Sequence, residues 1–359
     1  VTQPAVSVVM PVRDGALWIG SAIASIVGQP VHELELVVVD DGSTDETVDI
    51  VARWVRADPR IRCVPGPERG PGPAFDCGVE HARSGVVARM DADDVALPWR
   101  IPRQLAFLRE HPDVVMVGGF IEAMDPDGGL LGLERVPLDD EDIRRRLPAH
   151  CFFNPTLAFR RSALEAIGGH RSVFDTGEDV DLALRLAVTG AVANLGEPLV
   201  RYRLHGGSAS DRDVRRQTIA LLVAQAAHLR RERGEPDRVD DAATLEEAAR
   251  LLALDPAVID EAVARALTGR ASILARAGLR TRARAISLLV DDPRQRLAIA
   301  CAARTGHAIR ERDDYLGVRR STAAGSSLAV AFGLRRAATR CGTAARHATE
   351  RSLAGREGT

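Results

Sequence analysis

Lysine is absent: all 48 basic side chains of this 359-residue sequence are arginines. That absence removes Schiff-base and pyridoxal-lysine chemistry, and any Gly-rich phosphate loop closing on Gly-Lys-Ser or Gly-Lys-Thr. Aromatic residues are scarce at 4%, with 3 Trp and 2 Tyr, which argues against a binding surface lined by rings. The five cysteines, Cys63, Cys77, Cys151, Cys301 and Cys341, have no metal-ligand spacing. An odd number without a secretion signal points to a reducing compartment. The opening VTQPAVSVVMPVRDG has no basic region followed by an apolar run and reads as an early strand. No segment offers the roughly 18 apolar residues of a membrane span. A cytoplasmic location is therefore expected. The formal net charge of -2 excludes a polycation that simply coats nucleic acid. Arginine still binds phosphate through its forked donors, so an anionic substrate remains open.

What is present is an ordinary globular composition, 45% hydrophobic and 27% charged, enough for one large domain and a smaller one. Strands are expected at Val6 to Met10, Leu34 to Val39, Ile61 to Val64 and Val86 to Met90. Helices are expected at Leu17 to Val27, Thr44 to Ala57 and Ala74 to Arg83, with Ser43 or Thr44 as an N-cap. Nearly continuous apolar strands between helices indicate a parallel α/β sheet. Further on, the pattern predicts a helix near Asp139 to Leu147, a strand-like piece at Thr156 to Phe159 and a helix from Glu178 to about Val188. A short strand then carries Tyr202, Arg203 and His205. Beyond residue 211 the texture becomes Ala/Leu/Arg helix.

In such sheets ligands sit beyond the carboxyl ends of the strands. Two acidic clusters fall there: Asp40-Asp41 after the second strand, and Asp91-Ala92-Asp93-Asp94 after the fourth. A solvated turn tolerates one acidic pair; two such clusters, each at a strand end, read as two halves of a pocket. Carboxylates at Asp91 and Asp93 can both reach a hard cation, and Mg²⁺ or Mn²⁺ held this way is commonly shared with a diphosphate. Asp-x-Asp occurs in many loops, and its place after VVARM is what singles it out.

Six ordered segments carry a family resemblance: PVRDGALWIGSAIASIVGQ, LELVVVDDGSTDET, GVVARMDADDVALPWRIPRQLAFL, FNPTLAFRRSALEAIGGH, GEDVDLALRLA and YRLHGGSAS. Over roughly residues 5 to 210 they resemble the inverting family-2 glycosyltransferases of bacterial polysaccharide and cell-envelope synthesis. The resemblance implies a GT-A fold, a mainly parallel mixed sheet flanked by helices, with a helical C-terminal region. It implies metal-dependent inverting transfer from a nucleotide sugar, a UDP-sugar foremost, to a saccharide or lipid-linked acceptor. Pro11, Asp40 and Asp41 would line the base and ribose, while Asp91 and Asp93 would hold the ribose and a metal-bridged diphosphate with Mn²⁺ or Mg²⁺. His205 would ligate the metal or touch phosphate, and Arg203 would pair with the diphosphate. Asp179 is expected as general base, with Glu178 orienting it or serving in its place. The chain departs from the family where an Arg-Asn pair commonly follows the Gly-rich loop: Phe75-Asp76 stands there. Arg69 is the expected substitute, in a loop stiffened by Pro71 and Pro73. Asn154-Pro155-Thr156 is an acceptor-side turn or a plain loop-to-strand junction.

The expected organisation is a catalytic domain over 1–210, a helical region over 211–318 and a basic tail over 319–359. The tail carries eight Arg and two Glu, so the near-neutral total hides a segregation of charge. It suits a peripheral contact with an anionic membrane at the inner face; a nucleic-acid contact is not expected, since no recognition pattern accompanies the arginines. The helical region could hold the acceptor site, form a dimer surface or complete the core. Two alternatives to sugar transfer are a sugar nucleotidyltransferase, which would show more glycine after the first strand than MPVRDGALW does, and a catalytically silent sugar-nucleotide binder, against which Asp91, Asp93, Glu178 and Asp179 argue. A dinucleotide oxidoreductase is disfavoured because no GxGxxG follows the first strand.

Overall fold

The computed structural model describes residues 3–147, 151–205 and 213–276. Its centre is β1 (Val6–Val12), buried at all seven positions, lying parallel to β2 (Leu34–Asp40) on one side and β4 (Val86–Arg89) on the other. β3 (Ile61–Pro65) continues the parallel half beyond β2. These strands are apolar on both faces because helices cover both. Val6, Val8, Met10 and Val12 pack with α1 (Ile19–Val27), α2 (Thr47–Ala57) and α4 (Arg100–Glu110). Val9, Val37 and Val39 point the other way, onto α3 (Pro71–His81), α5 (Asp140–Arg146), α6 (Arg161–Ala166) and α7 (Glu178–Leu186). Gly78 of α3 lets that helix close on Val9 and Val39, which a β-carbon would strike.

The second half of the sheet mixes directions. β8 (Ala158–Arg160) runs antiparallel to both β4 and β6 (Val114–Met124). β9 (Ala191–Arg203) lies parallel to β6, and β5 (Val95–Ala96) pairs antiparallel with β9. The order is β3-β2-β1-β4-β8-β6-β9-β5, with β7 (Leu130–Glu134) hairpinned onto β6. The strand β6, which the apolar pattern along the chain did not mark out, carries Gly118 and Gly119 at its middle. Those glycines blur the strand pattern because the fold needs them: a β-carbon on Gly119 would lie 2.6 Å from Leu199 Cδ1, and one on Gly118 would strike Asn194.

Two helix starts differ from expectation. α2 begins at Thr47, and neither Ser43 nor Thr44 caps it. Ser43 Oγ instead accepts from the Asp14 N–H (2.9 Å), and the Thr44 N–H donates to Asp14 Oδ1 (2.7 Å), tying the loop after β2 to the loop after β1. α3 begins at Pro71, three residues early. The prolines belong to its first turn, where a missing N–H costs nothing, so they start the helix and do not stiffen a loop.

After the sheet, α8 (Val214–Glu232) packs onto α7, and α9 (Leu245–Leu251) and α10 (Pro256–Arg276) pack onto α8. Val173, Phe174 and Leu184 join Ile219, Val223, Leu245 and Val263 in one apolar cluster. No helix among the described residues is long and apolar enough to cross a membrane. The GGSAS motif, Cys301, Cys341 and the basic tail lie outside the described residues.

Candidate active site

The β1 and β2 ends form the first wall. Pro11 is buried near the end of β1; the β1–β4 ladder stops at Val9 paired with Arg89, so the proline leaves no ladder bond unmade. Asp40 is half-buried, and its Oδ1 accepts from the Ser43 N–H at 3.3 Å. Asp41 is 3% exposed and wholly engaged: Oδ1 accepts from the Glu68 N–H at 2.7 Å and Oδ2 from the Gly70 N–H at 2.8 Å. Asp41 thus staples the β3–α3 loop with one bond to each oxygen, at the strand end where base or ribose is expected. Arg69 on that loop is exposed.

The second wall is the turn after β4. Asp91 Oδ1 accepts from Arg89 Nε at 3.0 Å, and Asp93 Oδ2 pairs with His205 Nε2 at 2.8 Å. Their carboxylates remain 27% and 33% exposed, open to a ligand. Asp94 faces inward, fully buried, and accepts from the Arg203 N–H at 2.8 Å. Burial, with the charges of Asp93 and Asp91 added, pushes the Asp94 carboxyl well above its usual range. Arg203 is the clamp of this turn. Its Nε donates to the Asp93 carbonyl (2.9 Å), its Nη1 to the Pro126 carbonyl (2.8 Å), and its guanidinium lies 5.5 Å from the centre of the Trp18 ring. Arg203 therefore holds the turn that carries Asp93, where a diphosphate contact is expected. Trp18 also stacks against His205, centroids 4.3 Å apart.

The third wall is the start of α7. Gly177, left-handed at φ 63°, turns the chain so that Glu178 and Asp179 occupy the first helical turn. A β-carbon at Gly177 would lie 3.0 Å from Ala220 Cβ, so α8 presses directly behind this turn. Glu178 is 7% exposed, while Asp179 is less buried and its Oδ1 accepts from the Val180 N–H at 2.9 Å. Burial and the neighbouring Asp179 charge raise the Glu178 pKa, against the pull of Arg89 and His170.

Arg89 joins the walls, and no motif along the chain singled it out. Its side chain is 5% exposed. Asn154, its amide oxygen turned inward, accepts from Nε and Nη2 at 2.9 and 3.1 Å, and Phe75 lies under the guanidinium at 5.4 Å. Burial lowers its pKa, but the charges of Asp91, Glu178 and Asp179 outweigh that and raise it. The guanidinium beside Phe75 is that of Arg89, from β4. The only signal in the sequence was an arginine inside an apolar strand, which is costly unless paired. Arg100, fully buried, supports the same turn by donating to the Arg89 carbonyl; burial, partly offset by Asp91 and Asp94, pushes its pKa down to about 10.

Asp91, Asp93 and His205 offer oxygen and imidazole donors suited to Mn²⁺ or Mg²⁺. Among the described residues no three such side chains gather into a closed metal cage. Asp93, partly exposed beside His205, fits an ion that takes its other ligands from a diphosphate.

A sequence model described as glycosyl transferase family 2 matches residues 7–168. The amylovoran biosynthesis glycosyltransferase AmsE of Erwinia amylovora is 33% identical over 184 residues, covering 50% of this chain and 68% of that protein. Two solved structures share the fold at a TM-score of 0.50. TarS 1-349 of S. aureus in complex with UDP-GlcNAc is 17% identical, covering 84% of this chain and 90% of that one. The mannosyltransferase PcManGT of Pyrobaculum calidifontis, in complex with GDP-Man and Mn2+, is 24% identical, covering 84% and 86%.

Proposed function

The chain belongs to glycosyltransferase family 2 and has the GT-A fold, and on that premise we propose that it transfers a sugar, with inversion, from a nucleoside diphosphate to the hydroxyl of a saccharide or lipid-linked acceptor. A UDP-sugar is the first donor to try. One observation carries this reading: Arg89 draws the strand-end carboxylate Asp91 and the helix-start pair Glu178 and Asp179 into one electrostatic cluster. A donor diphosphate and an acceptor hydroxyl need those two kinds of group on opposite sides of the transferred sugar.

In this mechanism Pro11 and Asp40 line the nucleoside, with the Asp40 carboxylate accepting from a ring N–H of the base. Asp93 and His205, with Asp91 beside them, would hold Mn²⁺ or Mg²⁺, whose chemistry there is Lewis-acid stabilisation of the leaving diphosphate. Asp179 takes the acceptor proton as the acceptor oxygen bonds to the anomeric carbon. The bond from that carbon to the diphosphate breaks, and its electron pair leaves with the nucleoside diphosphate. Asp179 suits the base because it is the more accessible of the pair, while Glu178 is packed behind it.

The test is a transfer and hydrolysis screen of UDP-, GDP- and dTDP-sugars with Mn²⁺ or Mg²⁺. Turnover of none of them by folded protein would overturn the reading. Asp93→Ala should abolish metal-dependent turnover and remove the metal dependence of nucleoside-diphosphate binding; intact metal-dependent turnover would cancel the metal assignment. For the basic tail we propose contact with an anionic leaflet at the cytoplasmic face. A chain ending at residue 318 should bind anionic vesicles less than the full chain, and equal binding would end that idea.

A further inference from the structure

We propose that Asp76 and His170 form a positioning pair for Glu178, an arrangement that rests on the role given to Glu178 above. His170 follows two left-handed glycines, Gly168 (φ 73°) and Gly169 (φ 68°), which fold the chain back over α3. Asp76 then grips it at two points: the His170 N–H donates to Oδ2 at 2.8 Å, and ring Nδ1 pairs with Oδ1 at 2.8 Å. A β-carbon at Gly169 would lie 2.8 Å from Asp76 Oδ2, so glycine there is what permits the grip. Phe75 meets the imidazole edge-on at 5.8 Å and 87°. The ring is 1% exposed and held on every side but one.

The remaining side is Nε2, buried and without a hydrogen-bond partner among the described residues. An orphaned buried polar atom costs about 1–3 kcal/mol, so a structure that orients the ring this firmly needs a reason to leave one nitrogen empty. Glu178 supplies it. A β-carbon at Gly72 would come within 2.8 Å of Glu178 Cγ and within 3.2 and 3.3 Å of His170 Cγ and Cδ2. Cδ2 is bonded to Nε2, so the empty edge of the imidazole and the stem of Glu178 share one glycine-sized gap on α3. A rotation about the Glu178 side-chain bonds lets its carboxyl share a proton with Nε2 when substrate fills the site. One carboxylate oxygen is then fixed by His170, and the other is directed toward Asp179 and the acceptor. Asp76 sets the ring, the ring sets Glu178, and neither Asp76 nor His170 touches substrate.

The test uses the full chain with the donor and acceptor found in the screen. His170→Phe, which keeps the ring volume and removes the polar edge, should lower kcat about tenfold to a hundredfold. Both KM values should stay within about twofold and Tm should not fall, since an unpartnered polar atom is removed. His170→Gln, which returns a hydrogen-bonding atom, should recover most of the loss. In a Glu178→Gln background, His170→Phe should cost nothing further, because the two act as a unit. Wild-type kcat in His170→Phe, or losses that add in the double variant, would overturn the proposal. Equal losses in His170→Phe and His170→Gln that follow a fall in Tm would do the same. Should His170→Phe not fold, Asp76→Asn takes its place in the cycle, and additive losses there would overturn the pairing as well. If the wild-type protein transfers no sugar, the proposed transfer mechanism fails first and this pairing falls with it; if transfer is intact and the cycle is additive, only the pairing fails.

Discussion

Single residues decide whether the two acidic walls can work together. Asp179→Asn should leave nucleotide-sugar affinity intact and reduce transfer about a hundredfold or more, measured as single-turnover rate against donor binding; undiminished transfer would remove Asp179 as base. Gly72→Ala separates geometry from stability. In a helix alanine is favoured over glycine by about 1 kcal/mol, so Tm should not drop steeply, yet the new methyl would press on Glu178 Cγ. Transfer should fall while nucleotide binding persists. The residues proposed for the chemistry, Asp40, Asp91, Asp93, Glu178, Asp179 and His205, were all singled out along the chain, and all sit at or next to element ends. Asp41 and Arg203 were singled out as well, but the turns they hold were not. Whether such a group meets a ligand or a backbone depends on neighbours 27 and 109 residues away, Glu68 and Asp94, which spacing along the chain cannot reveal.

At the scale of elements, β2 carries a charge where an apolar strand should have none. Glu35 is 1% exposed, and it accepts from Ser7 Oγ on β1, from the Arg83 N–H and Nε at 2.7 Å, and from Arg62 Nη2 on β3 at 3.1 Å. It therefore ties β1, β2, β3 and the turn before β4 together at the end of the sheet away from the active site. Burial pushes its pKa up, but the hydrogen bonds from Ser7 and Arg83 outweigh that and hold it below the ordinary 4.5. A lowered folded-state pKa means that the stabilisation is fully present above 4.5 and is lost as pH falls through the folded value. Glu35→Gln should cost about 1–3 kcal/mol at neutral pH and flatten the acid limb of a denaturation curve; an unchanged slope below pH 4.5 would show that Glu35 is not the linked group. Elements with one strong pattern, such as β1 and β2, were readable in advance. β6 was not, because its glycines answer to Leu199 and Asn194 on β9 and not to any local preference.

For the whole molecule, the apolar seam between α7 and α8–α10 ties the helical region to the base-bearing helix. A chain ending at residue 210 would bare Val173, Phe174 and Leu184, each worth about 1.5–3 kcal/mol when fully buried. It should unfold at a markedly lower temperature and lose transfer, even though every catalytic carboxylate is present. Thermal melting of that truncation against the full chain checks this, and an equal Tm would mean that the seam contributes little. The change to an Ala/Leu/Arg texture after residue 211 announced helices; that they brace Gly177 through Ala220 did not follow from composition.

The sequence by itself determined that lysine takes no part and that acidic clusters lie at the strand ends of an α/β sheet. Lysine's absence is a property of the chain in any conformation, and alternation of apolar runs is local, so both survive without coordinates. Only the tertiary structure decided which partners each charged group meets. It set Asp41 and Arg203 to holding turns, brought Arg89 on β4 against carboxylates from α7, and placed His170 beside Glu178. The physical reason is that a buried charge or hydrogen-bonding group is assigned by whatever reaches it within about 3 Å, and that proximity is made by packing helices and strands far apart in the chain.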